Sequence, residues 1–218
     1  MKEAIAGLVP RDVATSVLAD FAAAEEPWPA EEAQLEGAGP ARRADFRAGR
    51  HCARRALEEL GHRPAALLRG EGGAPVWPPG FAGSITHCRG LAAAAVGPRG
   101  TWASMGLDVE VRGRATPRLA RMIATPAERA EFERRGERGQ DFLDLVFSAK
   151  EAFYKAQHPC SGAWLGFHDV ELTFAEDGGY RLRLGKSVPD LGVEGTEFEG
   201  RFVFGAEHVA SFVALSSA

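Results

Sequence analysis

Cysteine is scarce in this chain of 218 residues: Cys52, Cys88 and Cys160 are odd in number, far apart and form no Cys-x-x-Cys pair. Such usage excludes a disulfide framework and a zinc knuckle, and buried free thiols are the expectation. Long apolar runs are missing as well. Ala4 to Val9 is broken by Gly7, ended by Pro10 and preceded only by Lys2, too little for a signal-peptide core or a membrane span, so a cytoplasmic protein is expected. Nor is there a surplus of positive charge. The 26 Lys and Arg against 30 Asp and Glu leave a net charge of -4, whereas affinity for a nucleic-acid backbone needs a broad basic excess. Any basic site must therefore be local. The chain has no short repeat, no low-complexity tract and no long linker. It also has neither a P-loop, nor a dinucleotide-binding glycine pattern, nor a Ser-His-Asp or Cys-His arrangement in a supporting context.

What is present is a 45% hydrophobic chain with 26 Gly and 13 Pro, enough for a substantial core crossed by many turns. Asp12 to Phe21 is a mixed apolar segment, and Pro29 to Leu35 reads as a short helix with Glu31 and Glu32 in its first turn. The clearest amino-half helix is predicted over Ala41 to Leu60, stopped by Gly61 and Pro64. Gly83 to His87 and Leu91 to Val96 read as a hairpin turning at Cys88 to Gly90, and Met105 to Val111 as a further strand. A helical region broken at Thr125-Pro126 and at Gly136 to Gly139 leads into a strong helix, about Asp141 to Gln157. Strands are expected at Val170 to Phe174, Tyr180 to Leu184, Gly200 to Phe204 and Val209 to Leu215. The result is an α+β fold whose natural division falls just before Met105, and the seam between the halves is the first place to look for a ligand.

Four blocks carry residues fit for chemistry. In Gly106-Leu107-Asp108-Val109-Glu110-Val111 the strand period of two sends Asp108 and Glu110 to one face, about 6.6 Å apart along the strand. Two such carboxylates repel unless paired and can converge on a hard cation, although acid-x-acid spacing is common on solvated edges. In Phe147-Ser148-Ala149-Lys150-Glu151-Ala152-Phe153-Tyr154-Lys155, Glu151 and Lys155 share one helix face. This is an ordinary salt bridge, or a third metal carboxylate with an ammonium one turn away to stabilise a phosphate leaving group. Arg43, Arg47, Arg50 and Arg54 form a basic stripe beside the apolar stripe of Phe46, Ala53, Leu57 and Leu60. That boundary position suits phosphate binding as well as a solvated face laced to Glu58 and Glu59. Finally, Gly83-Ser84-Ile85-Thr86-His87-Cys88 ends a strand with a hydroxyl and an imidazole beside a turn.

Taken in order, these blocks resemble the 4'-phosphopantetheinyl transferase superfamily, in its monomeric, two-lobed branch that activates siderophore, polyketide and nonribosomal peptide synthases. Arg42-Arg43-Ala44-Asp45-Phe46 with Gly49-Arg50-His51-Cys52-Ala53-Arg54, and Pro75-Val76-Trp77-Pro78 with Gly83 to Cys88, look like its coenzyme A segments. Gly106 to Glu110 and Phe147 to Lys155 look like its two signature motifs, and Trp164-Leu165-Gly166-Phe167 is a further family-like stretch.

The resemblance implies a pseudodimer of two similar α/β lobes, 1–104 and 105–218, with coenzyme A in the cleft between them. It implies transfer of 4'-phosphopantetheine from coenzyme A to a serine of an apo acyl or peptidyl carrier protein, releasing adenosine 3',5'-bisphosphate. Asp108, Glu110 and Glu151 match magnesium ligands, a site that manganese could also fill. Glu151 and Lys155 match catalytic positions; Arg42, Arg43, Arg50, Arg69, Thr86 and His87, together with Lys155, match substrate contacts. Where relatives often carry Lys or Arg before the proline, this chain has Gly72-Gly73-Ala74, leaving Arg69 or backbone amides as substitutes. Two rivals stand beside this reading. One is a magnesium-dependent phosphohydrolase using the same acids, and the other is a nonenzymatic nucleotide-binding or scaffold protein.

Overall fold

The computed structural model of the protein describes residues 1–136, 139–175, 177–185, 188 and 196–217. Its helices are α1 (Lys2–Ala6), α2 (Pro29–Glu32), α3 (Pro40–Glu59), α4 (Pro117–Ile123), α5 (Pro126–Arg135) and α6 (Gly139–Ser161). Its strands are β1 (Ala14–Leu18), β2 (Phe81–Cys88), β3 (Leu91–Pro98), β4 (Trp102–Val111), β5 (Val170–Phe174), β6 (Gly179–Leu184), β7 (Glu197–Phe204) and β8 (His208–Ser216). The expected strands and long helices are all found. Of the expected break at Gly136 to Gly139, residues 137 and 138 lie outside the described residues.

Two antiparallel sheets result, three-stranded in the order β1-β3-β2 and five-stranded in the order β4-β8-β7-β6-β5. Each half uses the same wiring: a first strand, a long helix, then further strands of which the last returns to pair antiparallel with the first, β3 on β1 and β8 on β4. The halves are unequal in size, because the second has a four-stranded meander where the first has a hairpin.

The alanine run of β3 explains how the sheets stack. As the central strand it is covered on both faces. Ala92, Ala94 and Val96 meet Ala53 and Leu57 of α3, while Ala93 and Ala95 meet Leu107, Val109, Ala210 and Phe212 of the second sheet. Small side chains on both faces let a helix and a sheet approach one strand at once. The two sheets thus share a core. On its other side the second sheet packs against α6 through Val146, Ala149, Ala152 and Phe153. Gly106 is required there, since a Cβ at that position would collide with the Ala152 carbonyl.

Helix ends follow local chemistry. α3 opens on Pro40 in its first turn and stops before Gly61, which takes φ 78°. Thr125 caps α5 in a reciprocal box with Glu128. Of the three thiols only Cys52 is fully buried; Cys88 and Cys160 are half-buried, which corrects the expectation for those two. Among the described residues no helix is long and apolar enough to cross a membrane.

Candidate active site

β2 and β4 are the edge strands at which the two sheets meet. They are stitched by side chains: Ser84 Oγ donates to the Leu107 carbonyl at 3.4 Å, and Thr86 Oγ1 accepts from the Val109 amide at 3.2 Å. Thr86 also donates to Asp108 Oδ1 at 3.2 Å. The period of two in β4 puts Leu107 and Val109 in the shared core and turns Asp108 and Glu110 to the face that α6 covers. Because Gly106 lets α6 come down onto β4, the helix delivers Lys155 to Asp108. Lys155 Nζ lies 2.7 Å from Asp108 Oδ1 and 3.2 Å from the Leu107 carbonyl. Ser148 Oγ anchors the same helix about two turns earlier, donating to the Asp108 carbonyl at 3.3 Å.

Three acids concentrate charge in this seam. Burial, then the neighbouring Asp108, pushes Glu110 up to about 7 against the opposing pull of Lys155 and Arg114. Burial and Asp108 likewise raise Glu151. Cys88 is driven up to about 12 by burial, Glu110 and Asp108, which disfavours its thiolate. Asp108 is only 4% exposed, and its Oδ2 has no hydrogen-bond partner among the described residues. A buried, half-satisfied carboxylate beside two acids that resist ionisation is a donor set that fits a hard divalent cation. Among the described residues, however, no three His, Cys, Asp or Glu side chains are grouped so as to hold a metal ion. Here Lys155 supplies the positive charge against Asp108.

The basic stripe of α3 divides. Arg43 pairs with Glu32 and donates to the Leu35 and Ala38 carbonyls. Arg47 holds the Ala24 and Glu25 carbonyls. Arg54, 1% exposed, pairs with the fully buried Glu31 at 2.8 Å. These three strap residues 24–38 onto the helix. Arg50 turns toward Leu67 instead. Its Nε donates to the Leu67 carbonyl at 2.7 Å and its guanidinium lies 4.3 Å over the Phe46 ring. Burial, with Arg69, Arg54 and Arg42 nearby, lowers it to about 10 despite Glu31; it stays charged at neutral pH. Arg69 folds back over Gly73, where a Cβ would meet its Nη2 at 3.1 Å, and Gly72 and Gly73 adopt φ 64° and 83°. The Gly-Gly pair thus shapes a left-handed turn with a guanidinium laid across it.

His87 Nδ1 stands 3.7 Å from Asp45 Oδ2. Burial lowers its proton affinity, Asp45 raises it, and Lys155 and Arg42 lower it again. Asp45 and Arg114 were given no role by sequence reasoning. Asp45 lies inside a quoted motif and Arg114 four residues beyond Glu110, but neither spacing announces a partner.

Glu151 and Lys155 open into a cavity of about 800 Å³ between α6 and the 72–77 turn, walled by Trp77, Tyr154, Leu165 and Phe167. A second cavity of about 830 Å³ lies at Pro10, Trp102, Tyr180 and Arg201, and none of the candidate residues lines it. Chemistry, not size, singles out the first.

Residues 30–97 match the family model described as the 4'-phosphopantetheinyl transferase N-terminal domain, and residues 104–213 match that of the 4'-phosphopantetheinyl transferase superfamily. The chain is similar to the 4'-phosphopantetheinyl transferase Npt of Nocardia iowensis, 38% identical over 88% of this chain and 87% of the relative. It is also similar to PptT of Mycobacterium tuberculosis, 41% identical over 69% of this chain and 66% of the relative. Svp of Streptomyces mobaraensis is 38% identical over 87% of this chain and 79% of its own length.

Proposed function

This chain belongs to the 4'-phosphopantetheinyl transferase superfamily, and on that footing we propose how its seam transfers 4'-phosphopantetheine from coenzyme A to a serine of an apo carrier protein. The observation that carries the proposal is the meeting of Asp108, Glu151 and Lys155 beside one cavity at the edge-to-edge seam.

The serine Oγ forms a bond to the β-phosphorus while the bond from that phosphorus to the bridging oxygen breaks, releasing adenosine 3',5'-bisphosphate. Glu151, or a water beside it, takes the serine proton; burial and Asp108 raise its proton affinity, the direction a general base needs. Lys155 stabilises the charge that builds on the bridging oxygen. Thr86 and His87 contact phosphate oxygens, and Arg42, Arg50 and Arg69 receive the 3'-phosphate end. The pantetheine arm lies in the cavity along Tyr154 and Phe167. Magnesium, or manganese in its place, would be held by Asp108, Glu110 and Glu151 and supplies Lewis-acid neutralisation of the diphosphate when bound.

Residues 1–104 and 105–218 act as two lobes of a pseudodimer, a reading supported by their repeated wiring. The enzyme works as a cytoplasmic monomer on acyl or peptidyl carriers of siderophore, polyketide or nonribosomal peptide synthases. Mass spectrometry of an apo carrier incubated with the protein, coenzyme A and magnesium tests the reaction. A carrier heavier by one phosphopantetheine is expected. An unmodified carrier with hydrolysed coenzyme A would favour a phosphohydrolase.

A further inference from the structure

Lys150 stands next to Glu151 on α6 but points about 100° away around the helix, into the second lobe, where it is 0% exposed. All three of its donors are used. Nζ reaches the Ile123 carbonyl at the end of α4 (2.8 Å), Glu128 Oε2 in the first turn of α5 (2.8 Å) and the Phe167 carbonyl (2.7 Å). Glu128 is also fully engaged: Oε2 accepts from the Thr125 amide at 2.7 Å, and Oε1 accepts from the Leu172 amide of β5 at 2.8 Å. One ion pair therefore gathers α4, α5, α6, β5 and the 167–169 turn.

Such a pair is a poor device for stability alone, because desolvating both charges offsets most of their attraction and apolar residues often serve as well. What apolar residues cannot do is hold two carbonyls in fixed directions. The Phe167 carbonyl belongs to the cavity wall. Its ring packs 5.7 Å from Phe147 and 5.5 Å from Tyr154, and Tyr154 and Gln157 extend the stripe by donating to the Gly166 and Ala163 carbonyls at 3.0 and 2.9 Å. One helix face thus pins the 163–167 segment, while the adjoining face presents Glu151 and Lys155 to the cavity that this segment walls.

We propose that Lys150 and Glu128 are positioning residues for the transfer: they fix the 163–167 wall relative to Glu151, so that the substrate arm and the reacting groups keep one spacing. This rests on the functional reading above.

The test compares Lys150→Met, the double variant Lys150→Met/Glu128→Gln, and Lys150→Arg, by melting temperature, steady-state transfer and amide exchange of the 163–169 peptide. Lys150→Met strands a buried charge and should lose stability. The double variant is neutral, and its melting temperature should recover, yet kcat/KM for coenzyme A should stay down roughly 10- to 100-fold, the cost of a misplacement near 1 Å. Its 163–169 amides should exchange about tenfold faster than wild type. Lys150→Arg keeps the charge but cannot serve three acceptors in three directions, and should fold while losing about tenfold in kcat/KM. A double variant, or a folded Lys150→Arg, with wild-type kcat/KM and exchange overturns the proposal. If wild-type protein itself modifies no carrier, the functional reading fails instead, and the exchange measurement still decides whether the pair pins the wall.

Discussion

Lys155 Nζ and Asp108 Oδ1 lie 2.7 Å apart although 47 residues separate them in the chain. The contact joins α6 to β4 and is possible only because Gly106 leaves room for the helix backbone. The proposed metal ligand, the proposed leaving-group cation and the helix placement are therefore coupled, and substitutions here have separable consequences.

Asp108→Asn removes the charge that Lys155 faces and leaves the amide in place of a buried carboxylate. Magnesium-dependent transfer should fall at least about 100-fold, while circular dichroism and melting remain close to wild type. An active Asp108→Asn enzyme would contradict the metal assignment.

Glu151→Gln keeps the shape and removes the basicity. A loss of about 10² to 10⁴ in kcat is expected, the range for general-base assistance, and more if metal binding fails too. Near-normal turnover would show that Glu151 is not the base.

Legibility of the sequence was uneven, for physical reasons. The period of two in β4 places Asp108 and Glu110 correctly opposite Leu107 and Val109, and the period of α6 aligns Glu151 with Lys155, because periodicity is a property of the element alone. The α3 arginines were different. Their stripe was legible, but its use was not: Glu31 looked like a helix-start acid and is in fact the buried partner of Arg54. An amphipathic pattern reports which face a residue occupies, whereas its partner depends on where another segment lies. The same limit hid Asp45 beside His87. Unequal sheets were also beyond reach, since nothing local to β5 and β6 says which strand they join.

The Arg54–Glu31 pair makes this testable. Glu31 also accepts from the Leu67 and Trp28 amides at 2.8 and 2.9 Å, so Arg54→Met leaves a buried carboxylate without its counter-ion. Destabilisation of about 3 to 5 kcal/mol is expected by urea titration, with the metal affinity of the folded fraction unchanged. A drop below about 1 kcal/mol would mean that solvent reaches Glu31.

Glu110 supplies the pH dependence. Its folded value near 7, set by burial and then by Asp108, lies above the ordinary 4.5, so without metal this group favours the folded state most below pH 4.5 and loses that contribution as pH rises to 7. Neutral Glu110→Gln should therefore melt higher than wild type at pH 8 in the absence of metal, by on the order of 1 kcal/mol after solvent screening. Magnesium needs the ionised form, so its affinity should weaken up to about tenfold between pH 7 and pH 6 and level off above 8. Calorimetric titration at these pH values checks both arms. An affinity flat from pH 6 to 8 in wild type, or the same slope retained in Glu110→Gln, would remove Glu110 from the ligand set, because only a carboxylate that must shed a proton on binding ties the ion to this range.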